Sequence, residues 1–509
     1  MLKLLGRLKA AVAASSAIAA LESAVAHAPG DADAWTRLAI LYDLAGRHKD
    51  ASQVFERVVG LVPQSPHALH NYGMSLKDRG LVEDAVAIFR RARQLAPDNA
   101  RYFSTYLSML NYDTRLSPVE IFREHLEFDR HHGSSRFRAL VRGPRPQRGK
   151  LRIGYLSPDL RGHPIHCFVE PVLAHHDRAQ FEVSCYYLWN VGDQVTERLR
   201  QLSDHWIECS DWDEAKLADR IVADRIDILV DLAGHTAGNK MAALGRKPAP
   251  VIAAWLGYPN TTGLRTVDYR ITDAVCDPAG AANSLHAEKL ERLPGAQWCF
   301  LRPTVPVRIA PAPALRRGAV TFGSFNNEMK VTQAMLSLWA DVLHRVSGSR
   351  LLLWGVGDEH GARMLAHLQR CGIEPGRIEV RARTSFARML DYYQRVDIAL
   401  DTQPYSGVTT TFNALWMGVP VLTVAGNGLP SRSTLSILSA LGLQDWCAAS
   451  AEDFVQLAAR KAGDLADLGR LRATLRARLE ESPLMDGRQF TAKLEDAYRR
   501  MWQARAARQ

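Results

Sequence analysis

Three consecutive hydroxyl side chains, Thr409, Thr410 and Thr411, follow a loop punctuated by Pro404 and Gly407 and open a short helical pattern. Gly418 stops that pattern and Pro420 seals it. The first turn of a helix offers unpaired N–H groups and a positive dipole end, and threonine hydroxyls add donors. An ordinary helix cap needs one such residue; three in a row predict a site for a phosphate-type anion. Lys330 ends the stretch Phe322-Gly323-Ser324-Phe325-Asn326-Asn327-Glu328-Met329-Lys330. A positioned ammonium stabilises charge that builds on a departing diphosphate, although a solvated helix lysine would read the same way. His163, in the glycine-containing loop Ser157-Pro158-Asp159-Leu160-Arg161-Gly162-His163-Pro164, is suited to deprotonate or orient an acceptor hydroxyl near neutral pH. His166 is a close competitor, and a structural loop histidine is the plainer alternative. His235, in Asp231-Leu232-Ala233-Gly234-His235-Thr236-Ala237-Gly238, and Tyr258 with Pro259, in Trp255-Leu256-Gly257-Tyr258-Pro259, are further candidates for contact with the acceptor or the sugar.

Each of these loops follows an apolar run of strand length. Runs at 151–156, 181–188, 226–232 and 251–255 form one set, with helical patterns between them. Runs at 319–325, 350–354, 377–381, 396–401 and 420–424 form a second. Strands that alternate with helices imply parallel sheets covered on both faces, with ligands at the carboxyl ends of the strands. The expected organisation is a helical region over 1–132, a basic, Pro- and Gly-rich linker over 133–150, and a Rossmann-like domain over 151–301. A short proline-rich hinge over 302–317 leads to a second Rossmann-like domain with arginine-rich C-terminal helices over 318–509. A ligand cleft is expected between the two α/β domains.

The N-terminal region repeats with a period of 34. Gly46 recurs as Gly80, Asp50 as Asp84, Ala51 as Ala85, Phe55 as Phe89 and Pro63 as Pro97. The register extends back to Ala17, Leu21 and Pro29. Small residues let paired helices approach, aromatics fill the space between them, and proline ends each second helix; this is the tetratricopeptide pattern.

Other classes are disfavoured. The formal charge of +10 suits anionic partners, but no run of like charge reads as a nucleic-acid arm. Seven scattered cysteines with no Cys-x-x-Cys pair predict neither a disulfide framework nor a zinc site, and point to a reducing, cytoplasmic location. The alanine-rich start loosely imitates a signal peptide, but Lys9, Glu22 and His27 interrupt it. No apolar run is long enough to predict a membrane span. Asp211-Trp212-Asp213 reads as a helix cap rather than a metal pair, and no metal site is expected. Gly355-Val356-Gly357-Asp358-Glu359-His360-Gly361 has the wrong spacing for a dinucleotide fingerprint.

Taken in order, the repeats and the motifs GYLSPDLRGHP, DLAGHTAG, PAPVIAAWLGYPNTTG, FGSFNNEMK and VDIALDTQPYSGVTTTFNALWMGVPVLT resemble the O-linked N-acetylglucosaminyltransferase family, including its bacterial and SPINDLY-type members. The resemblance implies a GT-B fold, two Rossmann-like domains facing a cleft, behind an all-α repeat array. It implies inverting, metal-independent transfer of a sugar from a nucleotide sugar, most simply N-acetylglucosamine from UDP-GlcNAc, to Ser or Thr hydroxyls of proteins that the repeats engage. No cofactor, nucleic acid or membrane is implied. By matching motif, His163 falls on the family's catalytic histidine and Lys330 on its diphosphate-binding lysine. Asn327 falls on that lysine's glutamine partner, Thr409 and Thr410 on the phosphate-binding threonines, and the backbone around Arg383 and Thr384 where the uracil is held. The chain departs from the animal enzymes at Val408 (a histidine there), Asn413 (an aspartate), Phe386 (a lysine) and Met389 (a histidine). The departures leave two alternatives open: another donor, such as the GDP-fucose of the plant SPINDLY-type relatives, or a non-catalytic repeat-containing adaptor.

Overall fold

The computed structural model describes residues 2–134, 136–141 and 149–507, with side chains from residue 15 onward. Residues 135 and 142–148 of the expected 133–150 linker fall outside the described residues. The chain forms two compact units, Met1–Asp113 and Thr114–Gln509.

The first unit is all helix. Helices Ala32–Leu44 and His48–Leu61 form one antiparallel pair, and Pro66–Asp78 and Val82–Leu95 the next. Gly46 and Gly80 make the turn inside each pair at φ +76° and +71°, a left-handed conformation that glycine takes without a Cβ penalty. Asp31, Ser65 and Asn99 cap successive first helices through side-chain oxygens. The recurring Ala51 and Ala85 are fully buried, and Phe55 and Phe89 fill the space beside them. The approach is close: a Cβ on Gly73 would lie 2.6 Å from the Phe89 ring. The backward extension of the register is one continuous helix, Leu2–His27, half of a repeat pair. It turns Ile18 and Val25 inward and leaves Ala17 exposed, because no antiparallel partner covers that face among the described residues.

The second unit holds two parallel sheets. The first comprises β1 (Leu151–Ser157), β2 (Phe181–Tyr187), β3 (His205–Glu208), β4 (Ile228–Asp231), β5 (Val251–Ala254), β6 (Tyr269–Asp273) and β7 (Lys289–Leu293), in the order β3-β2-β1-β4-β5-β6-β7. The second comprises β8 (Thr321–Ser324), β9 (Arg350–Trp354), β10 (Ile378–Arg381), β11 (Ile398–Leu400), β12 (Val421–Val424) and β13 (Cys447–Ala448), in the order β10-β9-β8-β11-β12-β13. The order reverses beside β1 and beside β8, so the loops after these strands, which carry His163 and Lys330, open at topological switch points.

Two elements depart from the boundaries expected above. Helix Pro118–His132 belongs to the second unit rather than to the repeats, because Phe128 and His125 pack on His235 and Tyr258. The final helix, Gly487–Ala506, leaves the second α/β domain and lies on the first. Phe490, Leu494, Tyr498, Met501 and Trp502 join the core of β1, β2 and β5, each side chain contributing about 1.5–3 kcal/mol of transfer free energy. Tyr498 Oη lies 3.0 Å from Tyr155 Oη, and His176 Nδ1 lies 3.0 Å from Glu495 Oε1. Segment 302–317 is tied to helix Leu465–Glu480, where Arg472 donates to Ala310 O (2.7 Å) and Arg476 to Val307 O (2.9 Å). Across the two domains, Ser436 donates to Asp273 (2.7 Å) and Arg432 to Val275 O (2.7 Å).

Candidate active site

The Thr409–Trp416 helix starts after Val408, whose apolar side chain makes no cap, so the first-turn N–H groups meet no side-chain acceptor. That is the condition for an anion seat. The preceding loop is drawn tightly against it. Asp401, fully buried at the end of β11, accepts from Gly407 N (2.7 Å), Thr423 Oγ1 (2.8 Å) and Asn326 Nδ2 (3.4 Å). A Cβ on Gly407 would lie 2.5 Å from Thr410 Oγ1 and 2.9 Å from Thr411 Oγ1.

The three threonines are not equivalent. Thr410 donates to Asn326 Oδ1 (2.9 Å). Thr434 donates to Gly407 O (2.9 Å), so the 3.0 Å contact between Thr411 and Thr434 uses the Thr411 proton. Thr411 is buried and turned inward. Of the three, Thr409 alone keeps a hydroxyl without a protein partner among the described residues.

Lys330 comes to this helix from across the loop. Its Nζ donates to Ser406 O (2.9 Å) and stands 3.8 Å from the centre of the Tyr405 ring. Part of the residue reaches the surface while the ammonium end is enclosed; burial pulls it down to about 8, with the Asp401 carboxylate pulling the other way. Asn327, exposed, turns its Oδ1 back to Met329 N (3.0 Å) and caps the short turn that carries Lys330. Arg383 and Thr384 lie on an exposed loop after β10, followed by the exposed Phe386. Met389 is buried in the domain core. Asn413 is buried, and its Oδ1 has no hydrogen-bond partner among the described residues.

His163 belongs to the other domain. Gly162 N donates to Asp193 Oδ2 (2.7 Å), Arg161 stacks on Trp189 (4.9 Å) and pairs with Asp159 (3.5 Å), and together these contacts fix the loop. Ile165 N points at His163 Nδ1 (3.4 Å), with Asp159 Oδ2 at 3.7 Å from the same nitrogen. Burial holds the imidazole below its ordinary range and Asp159 opposes that, so the ring is neutral at pH 7. The two domains meet just behind these loops: Phe168, in the helix after His163, lies 5.7 Å from Phe412, in the Thr409 helix. His235, Tyr258 and Pro259 are buried instead of lining an open rim. His235 Nε2 contacts Thr262 O (2.8 Å), its ring packs edge-on against Phe128 and Tyr258, and burial pulls it down to about 3.

Asn326, Asp401, Tyr405 and Ser406 complete the seat and were not singled out in the sequence. The available signal was position: Asp401 ends an apolar run and Asn326 sits four residues before Lys330.

The sequence pattern of glycosyl transferase family 41 matches residues 135–300 and 307–494, and tetratricopeptide repeat patterns match 8–70 and 50–100. A protein of Solanum lycopersicum named as a probable UDP-N-acetylglucosamine–peptide N-acetylglucosaminyltransferase SPINDLY is 37% identical over 80% of this chain and 45% of its own length. A Petunia hybrida protein of the same name is 40% identical over 70% of this chain and 39% of its own. The chain thus spans less than half the length of the curated relatives it matches. A solved mutant O-GlcNAc transferase of Thermobaculum terrenum superposes with a TM-score of 0.89 at 34% identity, over 96% of this chain and 94% of that one. The helical repeats followed by two parallel-sheet domains are therefore a GT-B arrangement, and the chain belongs to glycosyl transferase family 41.

Proposed function

We propose that the chain is an inverting protein O-glycosyltransferase that moves a sugar, N-acetylglucosamine from UDP-GlcNAc, to Ser or Thr hydroxyls of proteins engaged by the repeats. The observation that carries this reading is the Lys330 ammonium held against Ser406 O, at the mouth of an uncapped helix N-terminus. There it meets the charge that gathers on a diphosphate as the sugar C1–O bond breaks. The acceptor oxygen forms its bond to C1 from the opposite face, the leaving electron pair stays on the β-phosphate oxygen, and the acceptor proton passes to a base. Lys330, the Thr409 hydroxyl and the helix N–H groups do the charge stabilisation that a metal does in other transferases.

For His163, the Ile165 N–H aimed at Nδ1 places the neutral ring's proton on Nε2, where it orients the acceptor oxygen by donating. Accepting the proton at Nε2 requires the ring to turn Nδ1–H onto Asp159.

A second reading, another nucleotide-sugar donor such as GDP-fucose, is favoured by the exposed Phe386 and the core-buried Met389 at nucleoside positions. A third is an adaptor without transfer, favoured by Val408 and Asn413.

Incubating the protein with a panel of nucleotide sugars and cell lysate decides among them. Transfer from UDP-GlcNAc, insensitive to EDTA and cut more than about tenfold by Lys330→Ala, is expected. Transfer only from GDP-fucose selects the second reading, and no transfer together with no calorimetric binding of UDP or GDP selects the third. The protein acceptors and a cytoplasmic location belong to the same proposal; among the described residues no helix is long and apolar enough to cross a membrane.

A further inference from the structure

Lys330 has two neighbours that a bare phosphate-binding lysine does not need. Its ammonium is enclosed, which disfavours charge, yet it is positioned against a carbonyl oxygen and over an aromatic face. The backbone that carries the aromatic side chain is anchored on both sides. Thr402 Oγ1 donates to Tyr405 O (2.8 Å), and the next residue, Ser406, donates through both its N and its Oγ to Pro430 O (2.8 Å each). The anchored backbone presents the ring face to the ammonium, 3.8 Å from its centre.

We infer that Tyr405 is a positioning residue that acts through Lys330: its ring face, with Ser406 O, holds the lysine charged and aimed at the Thr409 helix before the donor arrives. An aromatic face attracts a desolvated ammonium with about 0.5–2 kcal/mol, and only in its protonated form. The other ionisable groups around Lys330 are accounted for. Asp401 faces it from the end of β11 and favours its charge. Glu328, in the same turn as Lys330, is turned away, accepting from Gly357 N (2.9 Å) and pairing with His360 (3.2 Å). The Thr409–Trp416 helix contributes no charged side chain. With burial working against the charge and pulling Lys330 down to about 8, the ring favours the ammonium over the amine in the range where the lysine titrates.

This inference deepens the donor-site reading, and its central test is independent of any donor. The pH dependence of Lys330 acetylation by trace acetic anhydride, read by mass spectrometry of the Lys330 peptide in the full chain, gives the titration midpoint directly. Tyr405→Phe keeps the ring and should keep the wild-type midpoint. Tyr405→Leu should move it to lower pH by about half a pH unit or more. Pentafluorophenylalanine at position 405 keeps the shape and reverses the ring electrostatics, so it should move the midpoint as leucine does, even where leucine disturbs folding. A common midpoint for the phenylalanine and pentafluorophenylalanine variants overturns the inference. Calorimetry with UDP at pH 6.5 and 8.5 is the companion measurement. A leucine variant that loses affinity mainly at the higher pH links the ring to phosphate binding. Absence of UDP binding at either pH in the wild type refutes the UDP-donor reading, while the labelling midpoint still decides the role of the ring.

Discussion

Thr409→Val and Thr410→Val make the most informative pair of substitutions, because the structure assigns their hydroxyls opposite duties. The Thr410 proton is engaged with Asn326 Oδ1, and Asn326 in turn donates to Asp401. Replacing Thr410 by valine leaves the buried Asn326 Oδ1 without that donor, a change worth about 1–3 kcal/mol of folding stability. Its direct effect on an arriving phosphate is small, because the lost proton already pointed inward. Thr409 is half-buried, and its hydroxyl has no protein partner to lose, so Thr409→Val should leave stability within about 0.5 kcal/mol of wild type. It should weaken UDP binding by the value of one hydrogen bond to a charged group, about 1.5–3 kcal/mol, or roughly 10- to 150-fold. Urea unfolding read by tryptophan fluorescence and calorimetric titration with UDP measure the two quantities. The reasoning is refuted if Thr410→Val loses UDP affinity at unchanged stability while Thr409→Val binds as wild type.

Gly407→Ala should both destabilise the chain by about 1–3 kcal/mol and cut UDP affinity at least tenfold, since its Cβ would meet Thr410 Oγ1, Thr411 Oγ1 and Asn326 Oδ1 within 3.0 Å; calorimetry and urea unfolding read both. Raising the pH should make activity and stability diverge. The folded Lys330, down at about 8, releases its proton before the unfolded lysine does, so stability rises from about pH 8 toward 10.5 while transfer falls; Lys330→Met should remove the stability rise. Acid acts in the other direction through His125, on the buried face of helix Pro118–His132, and His235, packed against that helix. His125 is pulled by burial down to about 4 and His235 to about 3, so their contribution is complete above pH 6.5 and is lost as the pH falls through those values. For His125 the loss is about 3 kcal/mol, and His125→Gln should flatten the acid limb of a urea-unfolding series.

The strands that carry the candidate loops were legible because they are apolar runs ended by glycine-rich loops: β4 and β8 lie within the predicted runs and β1 passes the end of its run by one residue. β3, β6, β7 and β13 were not. β6, Tyr-Arg-Ile-Thr-Asp, buries an arginine and an aspartate: Arg270 donates to Tyr258 O and Asn260 O, and Asp273 accepts from Cys276 N, Gln297 N and Ser436. Partners that distant leave no mark on local composition. The same limit applies within the site. Residue types identified a threonine-rich helix start and a nearby lysine, but the direction of a hydroxyl proton depends on what faces it, and Asn326 and Thr434 come from separate strands and helices. His235 shows the converse: its place after a strand read as a rim position, while the aromatic side chains of a preceding helix enclose it.

The last helix has a bearing on how the chain is made. Residues 490–502 supply one face of the core built on β1, β2 and β5, which precede them by more than two hundred positions. During synthesis that sheet emerges from the ribosome with the face uncovered and stays so until residues 490–502 have been translated. Its contacts are about as non-local as the sequence allows, which slows folding and lengthens exposure to aggregation. Such a chain gains from a chaperone that shelters the first sheet. A rearranged gene encoding residues 487–506 ahead of Leu151 should give a first α/β domain that closes on its own.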